Sequence, residues 1–113
     1  MSKLQEKIEL YKKKLKEIEP NFDEALLEKI TKGLGPSIYN KDAETISCSQ
    51  PHELERVRKN FLKKKLGLDL PDAKLDAAIA EVCDKMGRSN PKKYRAIFYY
   101  FLVKKFGKEN VYA

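Results

Sequence analysis

Between Tyr94 and Phe106 the chain reads Tyr-Arg-Ala-Ile-Phe-Tyr-Tyr-Phe-Leu-Val-Lys-Lys-Phe, and this stretch constrains everything that can be built around it. Placed on a helix at 100° per residue, Tyr94, Ile97, Phe98 and Phe101 cover one side, and Ala96, Tyr99, Tyr100, Val103 and Phe106 cover most of the other. A helix that is apolar nearly all round belongs inside a fold, with other helices packed around it. Its strictly apolar part, 96–103, is eight residues long. A membrane span needs roughly 20, so the stretch predicts the centre of a soluble domain.

The rest of the chain supplies the helices to surround it. Leu4, Ile8, Tyr11, Leu15 and Ile18 recur at alternating spacings of four and three, a narrow apolar stripe on a helix over 3–18. Ser2 with Gln5 three residues on makes a capping box at its start. Pro20 ends it. A second helix, capped by Asn21 or Asp23, runs to about Lys32 with Ala25, Leu26, Leu27 and Ile30 inward, and Gly33-Leu34-Gly35-Pro36 closes it. A third begins at about Gln50, with Ser49 as N-cap and Pro51 in the first turn, where a missing N–H costs nothing. Leu54, Val57, Phe61 and Leu62 form its inner face, and Gly67 stops it. Arg58, mid-helix and turned toward that face, requires a carboxylate partner. A fourth helix starts at Asp69-Leu70-Pro71-Asp72 and reaches Met86, with Cys83 on its apolar stripe, read there as a small buried hydrophobe. The fifth is the central helix, capped by Ser89 or Asn90 with Pro91 at or next to its first position and ended by Gly107. Val111 and Tyr112 follow as a tail able to dock. The prediction is an all-α, single-domain orthogonal bundle of about five helices, with the apolar C-terminal helix central.

Two features break the plain helical pattern. The stretch 35–49 is long and irregular, the kind of loop that usually carries function. Ile38, Tyr39 and Ile46 are expected to anchor it, and 42–44 to hold one helical turn. There is also an internal echo. Phe61-Leu62-Lys63-Lys64-Lys65-Leu66-Gly67 returns forty residues later as Phe101-Leu102-Val103-Lys104-Lys105-Phe106-Gly107, and Ser49-Gln50-Pro51 as Ser89-Asn90-Pro91. The echo predicts two similar helical hairpins, the second helix with the third and the fourth with the fifth, to which the N-terminal helix is added.

The 113 residues fit one domain. Their net charge of +7 is unevenly spread. Segments 1–20, 21–48, 49–66, 67–87 and 88–113 carry +2, −2, +4, −3 and +6, which favours attraction between neighbouring helices. Arg56, Lys59 and Lys63 on the third helix, with Arg88, Lys92 and Lys93 from the second hairpin, are the candidate residues for binding an anion or a nucleic-acid backbone. The fifth helix is too apolar to enter a groove as a reading helix. Tyr99 and Tyr100 would stack on bases only if exposed, and they read instead as core residues whose hydroxyls find a partner. The charged N-terminus has no apolar run behind it. A cytoplasmic protein with no membrane segment is expected, and Cys48 and Cys83 are expected to be thiols in that compartment.

Chemistry is harder to find. Gly33-Leu34-Gly35 ends a helix instead of opening one, so it is no dinucleotide fingerprint. Cys48 and His52 could form a nucleophile and base, and with Tyr39, Asn40 and Asp42 would place an enzyme site on the loop, but a pair at a helix start reads more simply as capping and surface. Neither cysteine belongs to a CxxC pair that would suggest zinc. No catalytic residue, metal or cofactor is assigned.

Three stretches taken together, 35–42 (Gly-Pro-Ser-Ile-Tyr-Asn-Lys-Asp), 60–67 (Asn-Phe-Leu-Lys-Lys-Lys-Leu-Gly) and 93–100 (Lys-Tyr-Arg-Ala-Ile-Phe-Tyr-Tyr), give the chain a family likeness. It resembles a family of small bacterial proteins of about this length, catalogued as a domain of unknown function. The resemblance implies a bacterial, soluble, all-helical protein and supplies no activity or site residues. The expected function is therefore a non-enzymatic binding or interaction module, acting on a protein partner or on itself, with sequence-independent nucleic-acid binding as the alternative.

Overall fold

The structure is a computed structural model that describes residues 2–90 and 92–112. Its helices are α1 (Lys3–Ile18), α2 (Glu24–Leu34), the single turn α3 (Lys41–Glu44), α4 (Pro51–Arg56), α5 (Asp72–Met86) and α6 (Arg95–Phe106). A π-helical segment, Val57–Lys65, continues α4, and 3₁₀ turns cover Gly35–Tyr39 and Glu109–Tyr112. The architecture is the expected all-α single domain. α6 is its centre: every residue from Ala96 to Val103 is buried, and α1, α2, α3 and α5 all pack against it.

Local signals explain most of the helix ends. Ser2 Oγ accepts from the Gln5 N–H at 3.1 Å, and the stripe of α1 buries Ile8, Tyr11 and Leu15. The choice of cap for α2 falls on Asp23, whose carboxylate accepts from the Leu26 N–H. α2 runs two residues past Lys32, and Gly35 at φ 62° is the residue that ends it. Ala25, expected inward, is exposed. Gly67 and Gly107, at φ 67° and 63°, close their helices in the left-handed region that glycine tolerates.

The third helix differs in kind from the expectation. It starts at Pro51 behind Gln50, not Ser49, and its second half widens to i→i+5 hydrogen bonds, the last from the Leu66 N–H to the Phe61 carbonyl at 2.9 Å. Residue spacing gives the reason. Val57, Phe61, Leu62 and Leu66 are all buried. At 100° per residue, Leu66 would stand about 180° from Val57. The wider turn brings residues four, five and nine apart onto one face, so all four reach the core. Phe61 then lies flat on Tyr99, ring centroids 3.7 Å apart and planes 10° from parallel.

The two expected hairpins do not both form. α2 packs on α1 and α6, whereas the π segment packs along α5, so the second and third helices are not partners. α5 and α6 do pair. The starts of the two echoing copies also differ. α6 begins at Arg95, several residues after its expected cap; Asn90 instead closes a turn, accepting from the Lys92 N–H. Pro91 lies outside the described residues. The cause is non-local: the Ile46 N–H donates to the Lys93 carbonyl at 2.8 Å, and Thr45 and Tyr94 form an antiparallel bridge. The backbone before Arg95 is held extended against the loop.

That loop is ordered by side chains as well. Ile38 and Ile46 are buried as expected, but Tyr39 is 47% exposed and anchors nothing. Cys48 is bonded to Cys83, with the Cα atoms 6.2 Å apart. The expectation of two thiols is corrected here: the loop is stapled to α5, and the apolar-stripe position of Cys83 is where the staple lands. The tail docks through Tyr112, which lies against Gly33.

Candidate functional site

The core tyrosines take their polar partners from inside the protein. Tyr11 donates to Glu44 at 2.6 Å; burial first, and then this carboxylate, push its phenol well above the usual range. Tyr100 accepts from the Asp23 N–H at 2.8 Å, and Tyr99 accepts from Arg95 at 2.9 Å. With Tyr99 9% and Tyr100 1% exposed, neither face is open for a base to stack on.

The six candidate basic residues are placed very differently from one another. Lys59 is paired with Glu55 at 2.6 Å, Lys63 with Asp72 and Arg88 with Asp84 at 2.6 Å. Arg56 and Lys92 are exposed and, among the described residues, pair with no carboxylate. Lys93 is only 4% exposed. Its amine donates to the carbonyls of Arg88, at 3.0 Å, and Asn90, at 2.6 Å, just beyond the C-terminus of α5, where partial negative charge gathers. Burial, and then the Arg88 charge, hold that amine below the usual lysine range. Arg58 has the partner its position requires, donating to both carboxylate oxygens of Asp76 at 3.0 Å.

Arg88 and Lys93 come together in a cleft of about 330 Å³ between the 41–49 stretch, Glu53 and the 88–93 turn. Lys41, Asp42, Ser47 and Cys48 form the facing wall. Arg56, Lys59, Lys63 and Lys92 lie outside it. Below the cleft, Arg95 bridges three elements: its guanidinium donates to the Ala43 carbonyl, to Glu53 and to Tyr99. A groove over Val82 and Phe101 has similar size, but its lysines Lys85 and Lys105 already hold Glu19 and Glu81.

Two residues at the cleft, Arg95 and Lys93, are not among the sequence-predicted anchors of the loop. Arg95 was legible in principle, as the one charge inside an otherwise apolar block, which must find partners when buried. Burial of Lys93 was not, because its carbonyl is taken by Ile46 from a distant loop while its amine turns back on the Arg88 and Asn90 carbonyls. The thiol and imidazole pair is not available as drawn, since the Cys48 sulfur is bonded to Cys83 while His52 is exposed. Among the described residues there is no cluster of three or more metal-ligating side chains, and no helix long and apolar enough to cross a membrane.

Fold and cleft together define a small all-helical domain, stapled through one loop, with a polar cleft where that loop meets the start of its central helix. The chain belongs to the DUF2853 family, described as proteins of unknown function, whose model matches residues 10–110. No curated protein matches it.

Proposed function

We propose that this chain is a non-enzymatic binding module of the bacterial cytoplasm, and that the cleft between Lys41 and Arg88 is where it takes an acidic segment of a protein partner. The observation that carries this reading is the composition of the cleft. Three cations from two separated parts of the chain, Lys41 on one side and Arg88 and Lys93 on the other, line it. Of its two carboxylates, Glu53 is already held by Arg95. Rim charges of this kind set orientation and association rate more than affinity. The nucleic-acid alternative has less support, because Glu55, Asp72 and Asp84 pair with three of the six basic residues it needs, and only Arg88 and Lys93 of the six share one cleft.

A photo-crosslinking residue at Ser47, with Tyr39 as the control position, tests the cleft. Partner adducts are expected from Ser47 only, and their loss is expected in a Lys41→Glu/Arg88→Glu variant. Equal yields from both positions, or indifference to the charge reversal, would count against the reading. Fluorescence anisotropy with single- and double-stranded oligonucleotides at two salt concentrations tests the alternative. A steep fall in affinity with salt would support it.

A further inference from the structure

We infer that Cys48 is a hydroperoxide-reactive thiol and Cys83 its resolving partner, so that the disulfide in this structure is the oxidised state of a redox-responsive site. Three observations support it. The two cysteines sit 6.2 Å apart at Cα, inside the usual span for bonding without backbone movement. They are unequal in access: Cys83 is fully buried on α5, whereas Cys48 is half-buried and lines the cleft. The cleft that reaches Cys48 is lined by Lys41, Arg88 and Lys93 and by Asp42 and Glu53; Glu53 is held by Arg95 and Arg88 by Asp84, and among the described residues Lys41 pairs with no carboxylate. Neighbouring cations lower a thiol's pKa and raise its thiolate fraction, and a reactive cysteine is partly exposed in such surroundings with a second cysteine close by.

The chemistry balances with one oxidant. The Cys48 thiolate attacks a hydroperoxide oxygen; an S–O bond forms, the O–O bond breaks, and hydroxide or alkoxide leaves and takes up a proton. The Cys83 thiolate then attacks the Cys48 sulfur. The S–S bond forms, the S–O bond breaks, and water departs. The peroxide gains two electrons and the thiol pair loses two. Cys83 never has to meet solvent, because its only reaction partner is the sulfur already beside it. The inference is independent of what the cleft binds.

The experiment treats the fully reduced protein with stoichiometric hydrogen peroxide in the presence of dimedone, followed by intact-mass and peptide analysis. Wild type is expected to close its disulfide with little adduct. Cys83→Ser is expected to accumulate a dimedone adduct on Cys48, and Cys48→Ser at least tenfold less on Cys83. A Lys41→Ala/Arg88→Ala variant is expected to oxidise several-fold more slowly. In case a serine variant folds poorly, reduced wild type is also alkylated with limiting iodoacetamide, and Cys48 is expected to be modified first. Equal labelling of the two cysteines, preferential labelling of Cys83, or a wild type that stays reduced under peroxide would overturn the inference.

Discussion

Reducing the Cys48–Cys83 bond is expected to lower stability by a calculable amount. The cysteines are 35 residues apart in sequence. In the chain-entropy model, cross-linking a loop of that length removes about 13 cal/mol/K from the unfolded ensemble, which is about 3.8 kcal/mol at 25 °C. Unfolding entropy near 2.1 cal/mol/K per residue gives the 113-residue chain about 240 cal/mol/K at its midpoint, so the reduced form should melt about 15 °C lower. Calorimetry of the same preparation with and without a dithiol reductant measures this, with a Cys48→Ser/Cys83→Ser variant as control. That variant should melt with the reduced wild type and ignore the reductant. Because the cross-link acts on the unfolded chain, the oxidised form should also show a smaller urea m-value. Midpoints that agree within about 2 °C would refute the loop-entropy reasoning for this bond.

Other consequences concern the core. Phe61→Ala removes the ring stacked on Tyr99 and should cost about 3–5 kcal/mol in urea unfolding. Tyr112 is pushed up to about 12 by burial, against about 10 for an unfolded phenol. Above pH 10 the unfolded chain therefore loses that proton first, and stability should fall as pH rises from about 10 toward 12. Tyr112→Phe should flatten this fall in alkaline melts, and ultraviolet titration should show a late tyrosinate. Gly35→Ala meets no atom within 4 Å but forces a side chain to φ +62° and ψ −141°, a conformation that essentially only glycine adopts, and should cost about 1–3 kcal/mol through strain alone.

What could be read in advance follows from how local each cause is. α1 was legible to the residue because its cap, its stripe and its stop all lie within residues 2–20. α5 and the glycine stops were legible for the same reason. The start of α6 was misplaced because Ser89-Asn90-Pro91 carries a helix-start grammar that Ile46 and Thr45 override by pairing with the backbone at 93–94. The π segment was legible only in part. Its apolar residues stand four, five and nine apart, but a 3.6-residue wheel assigns Leu66 to the wrong side and offers no sign that the turn itself will change. The disulfide and the burial of Lys93 depend on where the loop folds back, which no periodicity encodes. Arg58 shows the opposite case, where a charge in an awkward position announced the carboxylate it would meet.

The place of Arg95 has a consequence for any change of state at the loop. Besides the backbone pairing at 45–46 and the Tyr11–Glu44 hydrogen bond, two attachments of different kinds fasten the stretch 41–53. One is a covalent link that chemistry can undo. The other is a guanidinium that grips Ala43 and Glu53 and stays charged at every physiological pH. Opening the first leaves the second in place, so slack is confined to the few residues between Ile46 and Pro51, next to the cleft mouth. Cutting the disulfide is therefore expected to loosen the rim, while the Arg95 contacts keep the central helix in register.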